Sequence, residues 1–403
     1  KIPMDPVFIV VALVIVIALF FDFTNGFHDT ANAMATPIAT GAMKPRTAVL
    51  VAAVMNLVGA FLSTAVAKTI SVDMLNINLA EVGSGAIMVL AGLSGAILWN
   101  LTTWFLGLPS SSSHALFGGL IGATLAYAGA AAINGDKIIE KVLIPAILAP
   151  LVAGIAAWVA TRLSYLATAR SQKERSKSGI NTGRTKFKVG QWFTSSLVAL
   201  AHGTNDAQKT MGVITLVLIA GGYQTKDDPV AFWVILSAAT AIALGTFSGG
   251  WRIIKTMGHG LSEIKPAQGL SAEVAGGSTI LASSALGFAL STTQVAAGAI
   301  IGSGLGRKGG AVKWGKAGHI VLGWFLTLPA AALVGALSAY LTMVPGVGVA
   351  LELIVTIALV AVIFKISRRN KIDHKHVGVA AVEDANKAVL TPKQAAKSKK
   401  GKK

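Results

Sequence analysis

Residues 26–33 read Gly26-Phe27-His28-Asp29-Thr30-Ala31-Asn32-Ala33, close behind an apolar run over residues 7–21. An apolar run of that kind points to a membrane span, and polar groups are kept inside a span only where they are used. An altered copy of the stretch stands at Gly203-Thr204-Asn205-Asp206-Ala207-Gln208-Lys209-Thr210. An Asp-bearing motif opened by Gly and placed twice in apolar sequence decides how the rest of the chain is read.

The surrounding composition agrees. The 403 residues are 53% hydrophobic and 13% charged, with a mean hydropathy of +0.67. Soluble domains carry about 25% charged residues. Apolar stretches at 7–21, 48–67, 86–108, 142–160, 230–250, 320–341 and 349–364 approach or reach the roughly 20 residues that cross a bilayer. The expected fold class is an all-α polytopic membrane protein in the cell (inner or plasma) membrane, with no polar stretch long enough for a separate globular unit. The chain starts at Lys1, which suggests a trimmed start. The first apolar run has no small-residue cleavage site near its end, so it reads as a retained span rather than a signal peptide. The sequence has no Cys, which excludes disulfides and Cys-based metal or redox sites. The net charge of +18 does not imply a nucleic-acid partner. Its Lys and Arg residues lie in loops and tail, where the positive-inside rule puts them.

Those basic loops also orient the chain. They fall at 44–46, 170–188, 252–265, 307–316 and from 365 onward, whereas 71–85, 128–141, 221–229 and 343–348 are acidic, balanced or uncharged. With the basic set cytoplasmic, the N-terminus is outside and the C-terminus inside. Residues 86–127 and 270–305 each start and finish on one side, turning at 109–114 and 291–294. The chain then divides into halves 1–166 and 191–370 of opposite orientation. A basic cytoplasmic linker, 167–190, joins them, and a basic tail, 371–403, is expected to be a disordered, solvated segment touching at most anionic lipid. The halves also match in sequence. Asp206 follows Asp29 by 177 residues, Gly287 follows Gly107 by 180, and Pro329 follows Pro150 by 179. The expectation is an inverted-topology repeat with broken or re-entrant helices, the sequence sign of a secondary transporter with its site between the repeats.

The polar residues then take roles. Asp29 and Asp206 supply carboxylates, and Gly26 and Gly203 are expected to relax the helix and free carbonyl oxygens beside them. The candidate cation-binding set is Asp22, Asn25, Asp29, Asn32, Asn205, Asp206 and Gln208, with Na⁺ held by Asp29, Asn32, Asn205 and Asp206. Asp22, Asn25, Asp29 and Asn32 are spaced by three and four, so a helix would put them on one face. Lys209 is placed off the face of Asp206. Ser110, Ser111, Ser112 and Ser113 precede one helical run, and Ser291, Thr292 and Thr293 precede another. Each turn can cap a half-helix and present free N–H groups, which suits a tetrahedral oxyanion such as phosphate or sulfate. His28, His114, His202 and Gln294 are assigned orienting or gating roles. Glu273, an isolated acid at the start of a span, is a candidate coupling or gating carboxylate.

These motifs, with 108–116 (LPSSSSHAL), 290–294 (LSTTQ) and 256–269 (TMGHGLSEIKPAQG), resemble the paired signatures of the inorganic phosphate transporter (PiT) family. The resemblance runs from about residue 20 to 341. It implies cation-coupled phosphate uptake, a homodimer, an inverted-repeat fold, and no cofactor beyond a coupling ion such as Na⁺. Members of that family differ in coupling to Na⁺, H⁺ or a metal–phosphate complex, and some carry sulfate. Here His28 stands where the family pattern has Asn, and Gln294 where the second turn often has His, so a strict histidine-proton role does not transfer. An intramembrane serine hydrolase using one of the Ser110–Ser113 hydroxyls is the rival from another class. It is disfavoured because Ser113 and His114 are adjacent, which points them apart on a helix, and because no G-x-S-x-G elbow is present.

Overall fold

The structure, a computed structural model, describes residues 6–73, 84–175, 183–310 and 312–378. The expectations for 74–83 of the first acidic loop, 176–182 of the linker and 379–403 of the tail lie outside the described residues. The helices run α1 Pro6–Ala39, α2 Pro45–Gly59, α3 Ala65–Lys68, α4 Gly85–Leu106, α5 Ser112–Ala128, α6 Gly135–Ile138 and α7 Ile144–Arg175. They continue as α8 Gly183–Ala220, α9 Phe232–Ser248, α10 Trp251–Gly260, α11 Pro266–Ala285, α12 Thr292–Gly306, α13 Trp314–Thr342 and α14 Gly348–Arg369. Among the described residues there is no β-strand, only an isolated bridge between Ser262 and Val312.

Val7–Ala39, Gly85–Leu106, Gly135–Ala167, Trp314–Thr342 and Gly348–Arg369 are long and apolar enough to cross a bilayer. α9 and α10 add a sixth span if they count as one broken helix, bent by 66°. The protein is therefore an all-helical, multi-pass membrane protein with a broken span.

The two stretches expected to fold back on themselves form the hairpins α4–α5 and α11–α12. Their turns share one geometry. Gly107 and Gly287 take positive φ, 68° and 70°, a conformation that costs an L side chain roughly 1–2 kcal/mol. Leu108 N–H then reaches the Thr103 carbonyl at 2.9 Å, and Phe288 N–H reaches that of Ser283 at 3.0 Å. This is the Schellman closure, which satisfies carbonyls left open at a helix end. The next helix starts at once: Ser111 Oγ accepts from His114 N–H at 3.1 Å, and Ser291 Oγ from Gln294 N–H at 3.3 Å.

One expectation is corrected. Gly26 and Gly203 do not loosen their helices, because α1 and α8 run helical through both motifs. Their absent side chains let neighbouring backbone approach instead. A Cβ on Gly26 would stand 2.4 Å from the Ile242 carbonyl, and one on Gly203 would stand 2.3 Å from that of Asn56. With lipid as solvent, such close backbone contact is what draws helices together.

Packing crosses between the two copies of the element series. α4 and α5 lie against α13, while α11 and α12 lie against α7. α1 packs on α9 and α10, as α8 packs on α2 and α3, and α1 meets α8 directly. Each contact keeps its counterpart when the two series are exchanged. The repeated prolines fit the same scheme, Pro150 inside α7 and Pro329 inside α13. The buried apolar side chains form two clusters. One takes Phe21 and Phe27 of α1 with Met211 of α8, and the other takes Met34 and Ile38 of α1 with Val198 of α8. Asp29 and Asp206 fall at the seam between them.

Gly26→Val and Gly203→Val should each be destabilising by about 1–3 kcal/mol, the usual cost of overpacking. Melting of the detergent-purified variants checks this, and an unchanged Tm for both would contradict the packing role.

Candidate functional site

The site is built where α1 and α8 cross and the two hairpin turns point at them. Asp29, His202 and Asp206 bring ligand atoms within 4.8 Å of one another, all buried. Two carboxylate charges that close repel by roughly 3 kcal/mol at an effective dielectric near 20. The repulsion must be offset by donors and cations, and the chain supplies both. Ser112 Oγ donates to Asp29 Oδ2 at 2.7 Å, and Thr293 Oγ1 donates to Asp29 Oδ1 at 3.2 Å. Thr292 Oγ1 donates to Asp206 Oδ2 at 3.2 Å. Asn32 Nδ2 donates to Thr292 Oγ1 at 3.1 Å and to Thr293 Oγ1 at 3.0 Å. The start of α12 therefore bridges both carboxylates.

Imidazole groups and an ammonium complete the set. His28 Nδ1 lies 2.6 Å from Asp29 Oδ1, and its Nε2 faces Thr103 Oγ1 at 3.3 Å and Ser110 Oγ at 3.4 Å. His202 Nε2 lies 3.0 Å from Asp206 Oδ2, with Nδ1 at 3.2 Å from Asn56 Oδ1. Lys209 Nζ donates to Asp206 Oδ1 at 2.5 Å and is fully buried. This overturns the expectation that Lys209 leaves the face of Asp206. Residues three apart are neighbours on a helix, and the i, i+3 spacing was the available signal.

Not every expected residue joins the cluster. Ser110 touches His28 and Thr103, Ser111 and Ser291 act as caps, and Ser113 Oγ donates to the Leu290 carbonyl at 3.0 Å. Asn205 turns its amide to Ser284 Oγ, 2.9 Å, and so braces the α11–α12 turn instead of facing Asp206. Gln208 Oε1 accepts from Val66 N–H at 2.7 Å and caps α3. Both residues sit on other faces of α8, Asn205 held by the Ser284 hydroxyl and Gln208 by backbone N–H groups. Asp22 and Asn25 are fully buried, and their polar atoms have no hydrogen-bond partner among the described residues. Glu273 belongs to a separate buried cluster, accepting from Thr36 and from Gln191 at 2.8 Å each and from Thr194. Thr36, Gln191 and Thr194 had no signal in the sequence beyond their place in apolar helices.

Equivalent residues of the two copies meet. Asp29 approaches Asp206, and His114 Nδ1 lies 3.5 Å from Gln294 Nε2.

A buried dicarboxylate centre ringed by hydroxyls at two helix starts defines a membrane protein built to hold small ions. Residues 25–335 match the model of the phosphate transporter family. A protein of Mycobacterium leprae (strain TN), described as a probable low-affinity inorganic phosphate transporter, is 50% identical over 370 residues, covering 91% of this chain and 86% of that protein. One of Bacillus subtilis (strain 168) with the same description is 41% identical over 338 residues, covering 84% and 98%. In fold the chain matches a solved structure described as the sodium-dependent phosphate transporter, with TM-score 0.72, 22% identity, and coverage of 82% of this chain and 98% of that one. The chain belongs to the phosphate transporter family. It is a phosphate transporter and not an enzyme.

Asp29→Asn and Asp206→Asn should each cut phosphate uptake to below about a tenth, since a charge-assisted contact is worth roughly 1.5–3 kcal/mol. Uptake by monodisperse variants in proteoliposomes measures it. Wild-type rates in either would remove the dicarboxylate from the mechanism.

Proposed function

We infer that the protein imports inorganic phosphate together with Na⁺ by alternating access. The meeting of Asp29 and Asp206 at the starts of α5 and α12 carries this reading. Ser112, Thr292 and Thr293 spend their hydroxyl protons on those carboxylates. A phosphate seated between the two helix starts needs the same hydroxyls. It also needs first-turn N–H groups, such as those of Ser112, Ser113, Thr292 and Thr293, which have no intrahelical acceptor. A cation bound by the carboxylates frees the hydroxyls and screens the charge that phosphate would meet. Each ion then raises the affinity for the other, and the two effects are equal by linkage. Asp29 and Asn32 offer the oxygens for that cation, because Asn32 Oδ1 is buried without a hydrogen-bond partner among the described residues. The description of the solved relative as sodium-dependent favours Na⁺ over H⁺.

The halves 1–166 and 191–370 are taken as inverted repeats, so that α5 and α12 approach the midplane from opposite sides and rocking between the halves exposes the site in turn. The linker 167–190 lies between them. We take the N-terminus as outside, the C-terminus and basic loops as cytoplasmic, and the working unit as a homodimer in lipid.

Two measurements test this. Proteoliposomes loaded against Na⁺, K⁺ or pH gradients should accumulate labelled phosphate severalfold with inward Na⁺. Uptake indifferent to Na⁺ but driven by a pH gradient would replace Na⁺ with H⁺. Because the sequence has no Cys, single Cys residues at the exposed Asp227 and Lys308 should label from opposite sides of the membrane. Labelling of both from one side would overturn the inverted arrangement.

A further inference from the structure

Alignment of the two motifs puts Lys209 opposite Asn32, with the same spacing of 177 that relates the aspartates. Each aspartate sits on a helix that runs on through its motif and accepts from a hydroxyl at the start of a hairpin's second helix, while the neighbouring imidazole comes from different positions, His28 opposite Asn205 and His202 opposite Asn25. The two surroundings differ in charge at two positions, Asn32 opposite Lys209 and the buried Asp22 opposite Ala199. Asn32 gives its N–H groups to Thr292 and Thr293 and keeps a buried oxygen without a hydrogen-bond partner among the described residues. Lys209 brings a fully buried ammonium 2.5 Å from Asp206. Asp22 and His114 also lie within electrostatic reach of Lys209.

We propose that the Lys209 ammonium is a resident cation. It stands in the second motif where a free coupling cation stands in the first, so the chain couples phosphate to one cation fewer than a site with two Asn-bearing motifs would. An ammonium cannot leave with the substrate. It neutralises Asp206 in every state of the cycle and contributes no driving force. The Asp29–Asn32 side, with its free oxygen, holds the cation that travels. Lys209 is thus a determinant of stoichiometry, and the asymmetry of the two motifs is functional.

The inference rests on the reading that a cation moves with phosphate, and the test separates the two. Reversal potentials in proteoliposomes give the charge carried per phosphate, whichever cation couples. A wild type whose uptake ignores every cation gradient would defeat the coupling reading before any variant is made. Given a coupled wild type, Lys209→Asn should raise the charge per phosphate by one and steepen the cation dependence from a Hill coefficient near 1 toward 2. Lys209→Arg should keep the wild-type ratio. If Lys209→Asn folds but does not transport, equilibrium binding of radioactive Na⁺ should show twice the wild-type number of sites. If it does not fold, Asn32→Lys decides, since a second resident ammonium should abolish cation dependence. An unchanged ratio or site count in Lys209→Asn, or retained cation dependence in Asn32→Lys, would overturn the proposal.

Discussion

Much of this structure follows from the approach of Asp29 to Asp206. Two carboxylates with ligand atoms within 4.8 Å of each other, inside a membrane protein, repel each other and resent their loss of water. The fold answers with three devices. Hydroxyls from the starts of α5 and α12 donate to them, Lys209 pairs with one of them, and imidazoles stand beside both. Each device depends on a different part of the chain. The hairpins must turn sharply at Gly107 and Gly287, α8 must stay helical from Asp206 to Lys209, and α1 must cross α8 at the motifs.

The packing makes that crossing possible. Gly26 and Gly203 admit foreign backbone to within the space a methyl group would fill, so the polar motifs sit in unbroken helices instead of frayed ones. Keeping those helices intact matters energetically, because a backbone group released in an apolar surrounding costs several kcal/mol unless something else binds it. Irregular backbone near the site lies in the hairpin turns and in the break between α9 and α10. At the hairpins, Schellman closures and serine caps satisfy what the helices leave open. The polar seam then lies between two apolar clusters, each taking residues from both α1 and α8.

Much of this is legible from residues alone, and what is not shares a cause. The duplicated motifs, the two hairpins and the caps follow from spacing and residue type. Asn205 and Gln208 flank Asp206 in sequence, which points to a shared site. They sit on other faces of α8 and are captured by Ser284 and by the N–H groups of Val66 and Ala67. Gly26 and Gly203 looked like helix breakers because sequence carries no trace of the helix that packs on them. The pairing of Lys209 with Asp206 is legible in their spacing, since i and i+3 are neighbours on any helix.

The sequence by itself determined that the chain lies in a membrane, that it carries one motif twice, and that two Ser/Thr turns begin helices. These are matters of local composition and period, which need no partner. Only the tertiary structure decided that the two aspartates meet, that Thr292 and Thr293 divide between them, and that Glu273 belongs to a separate cluster. Such pairings join residues up to 264 positions apart. They are set by which helix faces can approach most closely, and that is a property of two surfaces together and of neither alone.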